Sequence, residues 1–178
     1  MGGSKVRTSI SLLTSKSTDT KSGIVTYNTT SMTTSTPKVK GATSTCPTVL
    51  SGPYEPPHLI IQIDKTNPNK TFGNSYFGHV SSNVSTLFNF DVPTSDAGKT
   101  CTIIFLLPVN QPPWSGSYVV NGIGGIDICQ LTEPANDTST HNNVSSGSMV
   151  GSIATLISGN CYVVAVGPCV AGKTVGYS

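Results

Sequence analysis

From Cys46 onward the chain alternates between short apolar runs and clusters of Gly, Pro, Asn and Ser. His58–Asp64 puts Leu59, Ile61 and Ile63 on one face of an extended segment, and Ser85–Val92 groups Phe88, Phe90 and Val92 in the same way. Thr100–Leu107 is apolar on both faces: Cys101, Ile103, Phe105 and Leu107 share one parity, Ile104 and Leu106 the other. That pattern predicts a central strand covered on both sides. Further runs at Ser117–Val120, Gly125–Leu131, Gly151–Ile157, Cys161–Gly167 and Lys173–Tyr177 predict more strands. Only Ser148–Ile157 is ambiguous between helix and strand, and no segment shows a convincing 3.6-residue period. The expected fold is all-β, an antiparallel β-sandwich of jelly-roll or immunoglobulin-like type.

Residues 1–45 read differently. They are rich in Ser and Thr and almost free of aromatics, the composition of a disordered or O-glycosylated stalk. A second reading is open, because Gly23–Val39 is full of β-branched residues and suits an extended strand that adds to a sheet edge. The expected organisation is therefore an N-terminal stalk or strand-forming arm over 1–45 and a sandwich domain over 46–178. A length of 178 residues accommodates one such domain with a real core.

Charge changes the picture little. Only 10% of residues are charged, against about 25% in a typical soluble domain, so hydroxyls and amides solubilise the surface. Six of the ten basic groups lie in residues 1–45 with a single acid, Asp19. Without aromatic interleaving, that diffuse positive charge does not point to nucleic acid. No run approaches the roughly 18 apolar residues of a membrane helix.

The five cysteines, Cys46, Cys101, Cys129, Cys161 and Cys169, form no CxxC pair and have no His partner at zinc-finger spacing, so no structural metal is expected. Tyr162–Val166 looks extended, which holds Cys161 and Cys169 too far apart to bond each other. The parity of Cys101 favours a Cys101–Cys169 bridge, Cys129–Cys161 is a plausible second, and Cys46 is then unpaired or bonded outside the chain; other connectivities stay open. Sequons stand at Asn28, Asn69, Asn83, Asn136 and Asn143, all in polar, loop-like context. Together with the cysteines they indicate an oxidising, extracellular or cell-wall location. MGGSKVRTSISLL lacks the apolar run of a signal peptide, so this assignment requires a leader removed ahead of Met1; the alternative is a cytosolic protein.

CPTVLSGPYEPPHLI, FNFDVP, DAGKTCTIIFLLP, GIGGIDICQL and GPCVAGKTVGYS resemble, in order, the blocks of the fungal But-two C-terminal domain family. The resemblance covers about Cys46 to Ser178. It implies secreted or cell-surface fungal proteins with Ser/Thr-rich N-terminal regions and no catalytic residues to carry over, and its founding member is named for binding a ubiquitin-like-protein-activating enzyme. The family pattern has cysteine at Cys46, Cys101 and Cys169, whereas Cys129 and Cys161 depart from it.

Candidate chemistry is sparse. His58 and Asp64 cannot meet, since six residues of strand separate them by about 20 Å. His79, His141, Asp91 and Asp127 join His58 only if the fold gathers them, for no HxH, HExxH or DxDxDG spacing occurs. No serine occupies a GxSxG elbow. GIGGIDI lacks the third glycine of a dinucleotide loop and runs into a strand, which suits a tight turn or bulge. Trp114 and Tyr118 form a possible ligand platform. The expected function is a non-enzymatic secreted fungal surface or structural/adhesive protein without cofactor, with protein partners or self-association by strand addition and a cell-wall glycan as a possible ligand. The alternatives are an intracellular binder of a ubiquitin-like-activating enzyme and a carbohydrate-binding module.

Overall fold

The computed structural model describes residues 9–15, 54–109 and 118–178. Nine strands occupy these residues: β1 (Ser9–Ser15), β2 (Tyr54–Glu55), β3 (Leu59–Asp64), β4 (Val84–Asp91), β5 (Thr100–Leu107), β6 (Ile126–Leu131), β7 (Ser146–Ile153), β8 (Asn160–Pro168) and β9 (Thr174–Tyr177). A single 3₁₀ turn, Thr94–Asp96, precedes β5. The strands form two sheets, ordered β2-β1-β5-β8 and β3-β4-β9-β6-β7, and all their pairings are antiparallel. The all-β expectation holds.

Parity distributes the core as the sequence predicts. Cys101, Ile103, Phe105 and Leu107 of β5 meet Phe88, Phe90 and Val92 of the opposite sheet, joined by Ile128, Val175 and Tyr177. Phe90 and Tyr177 touch edge to face, centroids 6.0 Å apart. On the other side of β5, Ile104 and Leu106 pack with Cys161. The larger sheet is likewise covered twice, because Ile61, Ile63, Leu87 and Leu131 on its outer face lie under Ala135 and Val144 of the β6–β7 connection. β5 and β4 are therefore buried on both faces.

Three expectations need correction. Tyr118–Val120 is not a strand. Its side chains still turn inward, since Tyr118 and Val120 pack against the main core. The strand expected at Gly151–Ile157 is β7, which starts at Ser146 and stops at Ile153. Pairing with β6 extends it upstream through Gly147, a residue of poor strand propensity. The smaller sheet also contains β1, at Ser9–Ser15, upstream of the segment Gly23–Val39 singled out by its β-branched residues. That segment lies outside the described residues.

GIGGIDI is a turn feeding β6. Gly122 adopts a left-handed φ of 89°, and a Cβ on Gly125 would stand 1.8 Å from the Ile153 carbonyl oxygen. Glycine there lets the turn close on the end of β7. At Gly151 a Cβ would meet the Val164 carbonyl oxygen at 2.7 Å, so a missing side chain lets β7 cross β8 at the seam between the sheets.

Asp64 ends β3 by capping its own turn. One carboxylate oxygen accepts the Thr66 N–H at 2.8 Å and hydroxyl at 2.6 Å, and the other accepts the Asn67 amide at 2.8 Å. These bonds, the Thr66 hydroxyl first and the Asn67 amide next, favour the ionised form and lower the Asp64 pKa from 3.8 to about 2. A folded pKa below the unfolded one means that the turn's support is complete above pH 3.8 and is lost as pH falls through about 2. NMR titration of the Asp64 carboxyl should give a midpoint near 2, and Thr66→Val should move it up towards 3.8.

Candidate interaction surface

Strand edges are where a sandwich of this type meets other chains. The edges here are treated unequally. In the smaller sheet, one edge is the two-residue β2 and the other the nine-residue β8. Short edge strands resist further pairing, whereas β8 contains no charged residue. Val163 and Val166 on β8 are 47% and 62% exposed. A β-bulge interrupts its pairing with β5, and Val164, the unpaired residue, is buried in the core.

The outer edge of the larger sheet, β3, is covered by its own loop. Asn74 bridges to Ile61, its side-chain oxygen accepts the Ile60 N–H at 2.9 Å, and Ser75 N–H donates to the Ile60 carbonyl at 2.8 Å. On that loop Lys70 Nζ stands 4.6 Å from the Phe72 ring centroid, and Tyr76 is 95% exposed. A fully presented tyrosine on a pinned loop is the side-chain type that anchors protein contacts.

Between the sheets, beside the β7–β8 seam, a cleft of about 140 Å³ is lined by Cys101, Ile103, Val150, Val166, Val175 and Tyr177 among others. Ligand pockets run to about 300–1,000 Å³, so this cleft is smaller than a typical one.

The polar candidates separate. His58 Nδ1 lies 2.9 Å from Asp91 Oδ2, and the Thr174 hydroxyl donates to Asp91 Oδ1 at 2.5 Å. The pairing of β3 with β4 and of β4 with β9 brings these three strand ends together. The carboxylate that holds His58 is therefore Asp91, while Asp64 serves its own turn. His58, Asp91 and Thr174 are all exposed, and an exposed contact of this kind contributes about 0–1 kcal/mol. His79 is tied elsewhere: its backbone exchanges hydrogen bonds with the Thr86 hydroxyl, and its buried Nε2 has no hydrogen-bond partner. His141 and Asp127 are exposed, and among the described residues no group of three or more His, Cys, Asp or Glu is arranged to hold a metal.

Cys101 and Cys169 are joined by a disulfide whose Cα atoms are 4.9 Å apart. The proposed Cys129–Cys161 bridge is not formed: Cys129 is a free thiol, and Cys161 is in a disulfide with another partner. The sandwich explains the error. Cys129 neighbours the inward Ile128 and so faces out from the larger sheet, whereas Cys161 packs with Ile104 and Leu106 on the outside of the smaller one. Two sheet layers lie between them. Cys46, Trp114 and Asn28 lie outside the described residues. Tyr118 packs on the core, and its hydroxyl donates to Ser158 Oγ at 2.5 Å.

Asn69, Asn83, Asn136 and Asn143 are all exposed. Asn143 is the most committed to the fold, its amide accepting the Thr140 N–H and donating to the Thr138 carbonyl. Asn136 accepts both the N–H and hydroxyl of Thr138, the third residue of its sequon. No helix among the described residues is long and apolar enough to cross a membrane.

These features define a disulfide-linked, two-sheet antiparallel β-sandwich with an uncharged β8 edge and, among the described residues, no group of three or more His, Cys, Asp or Glu arranged to hold a metal. Residues 55–178 match the family model described as the Ubiquitin 3 binding protein But2 C-terminal domain, and the chain belongs to that family. No curated protein and no solved structure matches it.

Proposed function

We propose that the chain is a non-enzymatic protein-binding module that works outside the cell, as part of a fungal surface or extracellular matrix. The observation that carries this reading is the sulfur chemistry: Cys101 and Cys169 bond each other and Cys161 is also oxidised, a pattern of oxidising compartments. Four exposed sequons support it. Protein binding is supported by the uncharged β8 edge and the presented Tyr76. His58 and Asp91 serve this reading as a surface pair that fastens the ends of β3 and β4.

A second reading, favoured by the family's description, is an intracellular module that recognises a ubiquitin-type protein or its activating enzyme. Mass spectrometry of protein from its native source separates the two. The extracellular reading expects Cys101, Cys161 and Cys169 oxidised and glycan on at least one of Asn69, Asn83, Asn136 and Asn143. Free thiols at all three cysteines, with all four asparagines bare, would defeat it and leave the intracellular module.

A further inference from the structure

We propose that β1 is an exchangeable strand, and that the groove it fills between β2 and β5 accepts the β1 of a second copy of this chain. This deepens the protein-binding reading above by naming one partner and its site. The groove is well specified. β1 runs antiparallel along nearly all of β5, from Ser9 opposite Leu106 to Ser15 opposite Thr100, and meets β2 at Leu12–Glu55 and Leu13–Tyr54. Among the described residues its pairings fall on those two strands. Without it, the sheet would split between β2 and β5, and β5, TCTIIFLL, would present an unpaired backbone edge along one of the most apolar strands of the protein.

The connection is what makes exchange possible. Antiparallel neighbours joined directly need about two to five residues, yet β1 and β2 are separated in sequence by everything from residue 16 to residue 53. A separation of that length means that the β1–β2 pairing does not depend on a short hairpin joining its two strands. A β1 arriving from another copy would make the same ladder in the same register, so the pairing itself does not distinguish the two sources. The balance is set by concentration. The tether supplies its own β1 at an effective concentration on the order of millimolar, and copies packed at comparable density compete with it. Because each copy both gives and accepts a strand, exchange yields closed dimers or open chains.

Cysteine cross-linking on the full-length chain tests this in a Cys129→Ser background. Leu13 lies opposite Thr102, where Cα atoms stand about 4.5–5.5 Å apart and within disulfide range. Ser9 is four residues out of register with it, about 13 Å away along the strand. L13C protein mixed with T102C protein at about 1 mM, near the effective concentration of the tether, should give at least tenfold more covalent heterodimer than S9C mixed with T102C, and the yield should fall on dilution. The double variant L13C/T102C should close within one chain and abolish exchange. Equal yields from the two mixtures, or no heterodimer while the double variant closes, would overturn the exchange and leave the extracellular reading standing. Failure of the double variant to close would overturn it too, because β1 would not occupy the groove. Thiol and glycan mapping of native protein tests the extracellular reading without involving β1.

Discussion

Replacing Cys101 and Cys169 together by alanine should lower the unfolding free energy by about 4 kcal/mol. The bridge closes a loop with a sequence separation of 68, and in the chain-entropy description a loop of that size restricts the unfolded ensemble by an amount between the ~3 kcal/mol of a 15-residue loop and the ~4.7 kcal/mol of a 100-residue one. A second effect acts in the folded state. Cys101 is buried and lines the cleft between the sheets, so removal of its sulfur enlarges an opening that already reaches Ile103 and Tyr177. Domains of this kind are stable by about 5–15 kcal/mol, so the loss is a large fraction of the whole. Urea unfolding of the wild type and of the Cys101→Ala/Cys169→Ala variant, both in a Cys129→Ser background that blocks reshuffling, measures it. A midpoint shift equivalent to less than about 1 kcal/mol would show that the bridge does not constrain the unfolded chain as the loop length implies.

Why that bridge was legible and its companion was not follows from strand parity. Thr100–Leu107 announces its two faces through alternating apolar residues, so Cys101 is placed on the inner face by its neighbours Ile103 and Phe105. Its disulfide then needs only that β8 runs beside β5 and delivers Cys169 at its end. Cys129 and Cys161 also sit on strands, but the sequence does not say which sheet each strand joins, and they prove to face outward from opposite layers. The His58 partnership was hidden for the same reason. Local spacing excludes Asp64, while Asp91 reaches the imidazole only through the register of β3 on β4. β1 carries little signal of its own, since SISLLTS is short and sits in a Ser/Thr-rich region whose composition suggests a stalk.

Asn89 is the residue that pattern reading misplaces most, and it should be among the most sensitive to substitution. In FNFDVP it alternates with two phenylalanines, and a polar residue in that parity reads as solvent-facing. The outer face of the larger sheet is covered, however, and Asn89 is only 2% exposed. Its amide nitrogen donates to the Ala135 carbonyl at 2.7 Å while its oxygen accepts the Ala135 N–H at 3.0 Å, so one side chain holds the β6–β7 connection against β4. Asn89→Leu strips both partners from buried backbone groups, at about 1–3 kcal/mol each, and should destabilise the fold by roughly 2–6 kcal/mol. Asn89→Asp discriminates the mechanism. At neutral pH the carboxylate can still accept from the Ala135 N–H but cannot donate to its carbonyl, and it brings a charge into a buried site. Burial raises the folded-state pKa of such a carboxyl above its unfolded value, so in that window the folded form holds more protons and stability must climb as pH falls. A protonated carboxyl restores one donor and one acceptor. The Asp variant should therefore recover part of its loss on acidification while the Leu variant does not. Denaturant midpoints measured for both from pH 7 to pH 4 check this: if Asn89 acted only by filling space, the Leu variant would lose less than about 1.5 kcal/mol and the Asp variant at pH 4 would be no more stable than the Leu variant.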